Sequence, residues 1–326
     1  MAEPPAPRGT PSARPPAAAQ AGPRPKPSPA APAASGFRAA AVAQTLSTLG
    51  AAASANREFE FTSADFEQIR KLLYDHAGIA LSPAKQDMVY SRLVRRLRAC
   101  GDKSFSQYLQ RLKRDRGEWE TFINSLTTNL TSFFRESHHF EMLATQLKQI
   151  KEKRQIKIWC CAASTGEEPY SLAITACEAF SSLAPPVQII ASDIDTAVLA
   201  HGEQGRYRRD RVDRIPPASL GRYFTRNAED ESHTVRPELR RLVTFRRINL
   251  LSPTWAVQGP FDAIFCRNVM IYFDKATQYG ILKRFAPLLR PDGRLYAGHS
   301  ESFMHASDIL RSLGRTVYVR LDSPLH

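Results

Sequence analysis

The chain has 326 residues, room for two ordinary domains, and its 43% hydrophobic and 24% charged residues are those of a globular protein. Its 45 Lys and Arg against 32 Asp and Glu give a formal net charge of +13, which suits an acidic protein surface or a nucleic acid and alone decides neither. The five cysteines show no CxxC or Cys/His metal spacing and read as reduced, mostly buried thiols, and no run of 18 apolar residues offers a membrane-spanning helix.

Residues 1–36 hold 11 of the 23 prolines, with Ala, Ser and Gly filling much of the rest. Such a segment cannot bury enough apolar surface to offset chain entropy, so residues 1–57 are expected to form a disordered tail that the fold can lose. Residues 58–128 read as a helical domain. Thr62 can cap a helix that carries Phe66, Ile69, Leu72 and Leu73 and ends near Gly78. Ser82-Pro83 places a cap and an N1 proline before a second helix, 85–99. Ser104 and Gln107 form a capping box for a third, and a fourth covers about 118–126. On the second helix, about 100° per residue puts Tyr90, Leu93, Val94 and Leu97 on one face and Arg92, Arg95 and Arg96 opposite. That basic face is either simply solvated or offered to an acidic partner.

Residues 129–154 form a linker and helix into a second domain. From Gln155 strands and helices alternate: strands at 156–161, 187–192, 261–266, 295–298 and 316–321, helices at 168–180 and 275–289. The alternation predicts an α/β fold over 155–326, a mostly parallel, doubly wound sheet with helices on both faces. At about 203–247 an Arg/Glu-rich, Pro-broken stretch interrupts it and reads as an inserted subdomain.

The first strand runs into Ala-Ala-Ser-Thr-Gly-Glu-Glu-Pro-Tyr-Ser (162–171), a strand, small-residue turn and helix start of the kind that binds nucleotides in doubly wound folds. Neither GxGxxG nor GK[ST] is present. Glu167 and Glu168 stand where a pyrophosphate would approach the helix N-terminus, so a phosphate is disfavoured and a ligand with a cationic end is favoured. S-adenosylmethionine, with a sulfonium, an ammonium and no phosphate, meets that description; on their own the two acids serve equally well as complements of the helix dipole. Asp193, at the end of the second strand, can accept both ribose hydroxyls of an adenosine. The strand 261–266 opens into Arg267-Asn268-Val269-Met270-Ile271-Tyr272-Phe273, polar then apolar and aromatic, as a pocket wall would be. Residues 127–135, rich in Thr, Asn and Ser before two Phe and Arg135, form a linker able to close over a ligand.

TTNLTSFFRESHHF, AASTGEEPYSLAI, ASDID, INLL, GPFDAIFCRNVMIYFD and LLRPDGRLYAGHSES, in that order across about residues 60–322, resemble the chemotaxis-receptor glutamate O-methyltransferases of the CheR type. The resemblance implies a class I (Rossmann-like) methyltransferase sheet with a small N-terminal all-α domain and an inserted antiparallel β subdomain. It implies S-adenosyl-L-methionine as cofactor, S-adenosyl-L-homocysteine as product, and methylation of glutamate side chains on methyl-accepting chemotaxis receptors for sensory adaptation. Carried over by position, the cofactor contacts fall on Asn129, Thr131, Arg135, Glu168, Asp193, Asn249, Leu250, Arg267 and Asn268, and Arg135 and Tyr272 match residues beside the reacting methyl group. A glutamate-bearing receptor would give Arg92, Arg95 and Arg96 their acidic partner. The expected protein is a cytoplasmic monomer recruited to receptor arrays, without membrane insertion or a nucleic-acid partner; a nucleic-acid methyltransferase typically carries an N/D-P-P-Y/F motif where this chain has RNVMIYF. A glutamate carboxylate is ionised at neutral pH, so no general base is needed and His138 and His139 are not required as bases.

Overall fold

A computed structural model describes residues 57–150 and 152–325. The reading of residues 1–57 as a disordered tail therefore falls, Arg57 apart, outside the described residues. The helical domain begins with α1 (Ser63–Ala77). Thr62 Oγ1 accepts the Asp65 N–H while Asp65 accepts the Thr62 N–H, and Gly78 ends the helix at φ 67°. A 3₁₀ turn at Pro83–Lys85 leads into α2 (Gln86–Cys100), which buries Val89, Leu93, Val94 and Leu97. In α3 (Phe105–Leu112) the expected capping box is only half made. Ser104 Oγ accepts the Gln107 N–H, but Gln107 reaches back to the Lys103 N–H. The fourth helix, α4 (Arg116–Leu126), starts before the predicted residue because Asp115 caps it. The four helices bury one core of their own, with Phe66, Ile69, Leu93, Tyr108 and Phe122 at its centre.

The second domain opens with α5 (His138–Gln149) and β1 (Ile156–Cys160), followed by α6 (Glu167–Phe180), β2 (Val187–Asp193) and α7 (Thr196–Gln204). An insertion follows: β3 (Arg206–Tyr207), α8 (Arg209–Val212), α9 (Pro217–Tyr223), β4 (Phe224–Arg226), β5 (His233–Val235) and α10 (Pro237–Arg240). The main sheet resumes with β6 (Val243–Arg247), β7 (Phe261–Cys266), α11 (Lys275–Phe285), β8 (Leu289–Ala297), β9 (Leu310–Gly314) and β10 (Val317–Arg320). Its order is β6-β2-β1-β7-β8-β10-β9, with β6, β2, β1, β7 and β8 parallel and β10 antiparallel to both its neighbours. The insertion folds into a separate antiparallel sheet, β3-β5-β4.

Every residue of β7 is buried, as a central strand covered on both faces requires. Its one charge, Asp262, is held by Arg154 at 2.6 and 3.1 Å and by the Lys157 N–H at 2.9 Å. Three boundaries differ from the sequence reading. The insertion is shorter than 203–247, because 243–247 is the edge strand of the main sheet; an edge strand with most of its length exposed lacks the apolar run that marks β1 or β7. The helix expected over 275–289 gives way at Phe285 to a 3₁₀ turn, Ala286–Leu288. The strand expected at 295–298 begins at Leu289, with Pro291 and Gly293 beside a register shift against β7.

Candidate active site

Strand order reverses between β1 and β7, so the chain leaves their carboxyl ends toward opposite faces and opens a crevice there. The helical domain covers this crevice and leaves a cavity of about 390 Å³, within the range of small-molecule sites. Asn129, Thr131, Arg135, Glu168, Asp193, Asn249, Leu250, Arg267, Asn268 and Tyr272 all line it.

Asp193 accepts the N–H groups of Ser164 (2.9 Å) and Asp195 (3.1 Å), which leaves lone pairs for a ligand in the cavity it lines. Burial pushes its pKa up to about 6. Asp195 has a different task. Its Oδ1 accepts the N–H groups of Ala197 and Val198, capping α7, and its Oδ2 accepts from Thr127 Oγ1 and Asn129 Nδ2, both at 2.8 Å. The Asn129 amide therefore ties the linker to the β2–α7 turn, and the Asn129 carbonyl accepts from Ser164 Oγ at 3.0 Å.

The Arg267 side chain is fully buried between two carboxylates, 2.6 Å from Glu168 and 3.2 Å from Glu136, and it donates to the Arg135 carbonyl at 2.5 Å. Its Nε, buried, has no hydrogen-bond partner among the described residues. The Cys160 thiol, kept neutral by burial, donates to the other Glu168 oxygen at 3.3 Å. Burial opposes ionisation of Glu136, yet the hydrogen bond from His299 (2.9 Å) and the charge of Arg267 hold its pKa down to about 2. Phe134 and Glu136 adopt φ of 52° and 57°, a left-handed turn that non-glycine residues keep only when their surroundings impose it. That turn presents Arg135, whose Nη1 donates to the Leu130 carbonyl at 2.9 Å.

Tyr272 ends a 3₁₀ turn, and its carbonyl accepts the Ala80 N–H at 2.9 Å, joining the helical domain. Asn249 is a second joint: its Nδ2 donates to the His76 carbonyl (2.8 Å) and its Oδ1 accepts the Leu251 N–H (2.9 Å).

Two expectations change. Glu167 and Glu168 are not free anions at the start of α6. Glu167 is paired with Arg211 of the insertion and accepts from Thr165 Oγ1 at 2.6 Å, and Glu168 is paired with Arg267. Glu167 is answered by Arg211, while Glu168 shares Arg267 with Glu136, so neither acid stands alone at the helix start. The basic face of α2 is also narrower than Arg92, Arg95 and Arg96. Arg92 donates to the carbonyls of Leu126 (3.0 Å) and Thr127 (2.7 Å), satisfying the end of α4. Arg96 is paired with buried Glu118 at 2.7 Å, whose pKa is held low, against burial, by bonds from Arg96 and Tyr108. Arg95 alone of the three is exposed. Arg96→Glu is expected to cost about 2–3 kcal/mol of stability by setting two carboxylates together, visible in urea melts of the whole chain. Glu136 and Arg211 went unremarked in the sequence because their partners lie far along the chain, and Asp195 was given no role because its Thr127 and Asn129 partners do too.

Residues 64–127 match the family described as CheR methyltransferase, all-alpha domain, and residues 129–319 match CheR methyltransferase, SAM binding domain. "Chemotaxis protein methyltransferase 2" of Pseudomonas aeruginosa is 52% identical over 266 residues, 81% of this chain and 95% of that protein. "Chemotaxis protein methyltransferase" of Escherichia coli is 49% identical over 261 residues, 79% of this chain and 91% of that protein. Together with a sheet of class I methyltransferase order and a cavity lined by every residue expected to meet S-adenosylmethionine, these matches establish that the chain belongs to the CheR family of S-adenosylmethionine-dependent methyltransferases.

Proposed function

We propose that the protein methylates glutamate side-chain carboxylates on the cytoplasmic signalling domain of methyl-accepting chemotaxis receptors, giving glutamate methyl esters, as the adaptation step of a chemosensory pathway. The observation that carries this reading is that Arg135 and Tyr272 line one cavity with all the expected cofactor residues. S-adenosylmethionine, when bound, supplies a methyl group activated by a sulfonium. Asp193 would hold its ribose hydroxyls, and the backbone and side chains at Asn129, Thr131, Leu250, Arg267 and Asn268 would enclose the rest.

The acceptor carboxylate arrives ionised, so the protein has no proton to remove from it. What remains is placement, and well-oriented groups lower such barriers by on the order of 7–11 kcal/mol in model reactions. Arg135 can hold the carboxylate by a charge-assisted hydrogen bond and Tyr272 can orient it as a donor. The carboxylate loses its charge as the ester forms, so an arginine that gripped it too tightly would favour the ground state. The Arg135 backbone is fixed by Arg267 and its guanidinium is shared with the Leu130 carbonyl, which fits an orienting role. In this reading the enzyme works as a single copy in the cytoplasm, at receptor arrays.

The test is to incubate the purified chain with methyl-labelled S-adenosylmethionine and receptor-containing membranes. Mild alkali is expected to release the label as methanol; label that survives alkali rejects a carboxylate acceptor. On the receptor-facing side, Arg95→Glu is expected to weaken receptor association, most at low salt, and to leave cofactor affinity unchanged, since exposed charges act over roughly 8–10 Å at physiological salt. Unaltered receptor kinetics in that variant would return α2 to a merely solvated face.

A further inference from the structure

The loop between β7 and α11 carries Asn268 and Tyr272, yet much of its backbone is satisfied by side chains rather than by a strand ladder. Glu301, 4% exposed, accepts the N–H groups of Asn268 and Val269 (each 3.0 Å), Met270 (2.8 Å) and Gly298 (2.5 Å). Gln278, also buried, donates to the carbonyls of Met270 (2.8 Å) and Phe273 (3.0 Å). Asn268 sits at φ 58°, a conformation that needs an outside hold in a non-glycine residue. A Cβ on Gly298 would run into Asn268 Nδ2 and lie 2.9 Å from its backbone nitrogen, so glycine supplies the space that Asn268 occupies. His299, between Gly298 and Glu301, bonds Glu136 at 2.9 Å, so the segment Gly298-His299-Ser300-Glu301 touches both turns that carry cavity residues.

We propose that Glu301 is a positioning residue for the cofactor site: its carboxylate gathers four backbone N–H groups and so fixes Asn268, and the loop that leads to Tyr272, on the cavity wall. Its bond to the Gly298 N–H closes the turn 298–301, whose Glu301 N–H also meets the Gly298 carbonyl at 2.9 Å; the other three bonds reach across to a separate loop. Three successive N–H groups converge on one carboxylate, an arrangement that the loop cannot reproduce from its own atoms.

Glu301→Gln keeps the shape and turns one acceptor oxygen into an NH₂ group facing N–H donors. In a variant with native circular dichroism, calorimetry is expected to show S-adenosylmethionine affinity lowered by at least about tenfold. In an Asn268→Ala background the same change is expected to cost less than about threefold, because the residue it acts through is gone. Wild-type affinity in folded Glu301→Gln, or an equal loss in both backgrounds, overturns the proposal. If Glu301→Gln does not fold, Gly298→Ala presses on Asn268 from the other side and is expected to lower affinity by a similar factor; wild-type affinity there overturns it as well. These are binding measurements on the enzyme alone. Failure of the receptor reading would show separately, as no label transferred by the wild-type chain.

Discussion

Arg267→Met is expected to remove about 3–5 kcal/mol of folding stability, because it strands two buried carboxylates, Glu136 and Glu168, without their shared cation. For the sheet-bearing domain, which holds all three residues, that corresponds to a fall of roughly 6–20 °C in the midpoint of its melting step. Methionine fills a similar apolar volume, so the loss reports charge compensation more than a cavity. The pH dependence carries a second signature. The Glu136 pKa is depressed from 4.5 to about 2, so in the wild type its contribution to stability is complete above about 4.5 and is lost as pH falls toward 2. Without Arg267 the depression shrinks, and this acid-side slope is expected to flatten. Turnover should fall further than stability explains, since the Arg135 carbonyl also loses its anchor. A thermal midpoint within a degree or two of the wild type would show that the carboxylates find other partners and would sink the argument.

Asp193→Ala is expected to weaken S-adenosylmethionine binding by on the order of 2–4 kcal/mol, the worth of two hydrogen bonds to a charged acceptor. Asp193→Asn keeps the shape but only one of the two acceptors, since the Ser164 N–H bonds Oδ2 and the Asp195 N–H bonds Oδ1, so native circular dichroism is required of it before its binding is compared. Because burial raises the Asp193 pKa to about 6, the ionised acceptor disappears between pH 7 and 5. Wild-type affinity is therefore expected to drop by about tenfold from pH 7 to 5, while Asp193→Asn binds weakly and nearly flatly across the range. In the ligand-free fold the sign is opposite. The native state keeps the proton longer than the unfolded chain, whose carboxyl titrates near 3.8, so this group's contribution to stability falls as pH rises from 3.8 to 6. Calorimetry at three pH values decides the matter, and equal affinity at pH 5 and 7 would remove Asp193 from the ribose.

The readable parts of the fold were those whose signals are local. Thr62, Gly78, Pro83 and the apolar run 261–266 each mark an element within a few residues of its observed place. The site was readable only through its motifs, and these named which residues surround the cavity without saying what each holds. Arg92 and Arg96 look like one basic stripe in the sequence, yet Arg92 caps α4 and Arg96 neutralises Glu118; helical periodicity gives a face but not what packs on it. The same holds for Glu167, whose partner Arg211 comes from the insertion, and for Glu301, whose four N–H donors come from two separate loops. The edge strand β6 was missed because an edge position lets charged residues replace the apolar alternation.

The cavity lies between two separate hydrophobic cores, one in the helices and one on the sheet. Direct bonds across the joint include His76 with Asn249, Ala80 with Tyr272 and Tyr74 with Asp274 (2.5 Å), while Leu251 packs so close to Gly78 that a Cβ there would meet it at 2.5 Å. A bound ligand touching both walls thus acts as added interface between two folding units, and its binding free energy becomes coupling free energy between them. At a hundredfold excess over its dissociation constant, S-adenosylmethionine adds about 2.7 kcal/mol to the bound form. The ligand-free chain should then melt in two overlapping steps that merge when the ligand is present. Amide exchange at the carboxyl end of α1, far in sequence from every strand, should slow along with that of the β7 loop.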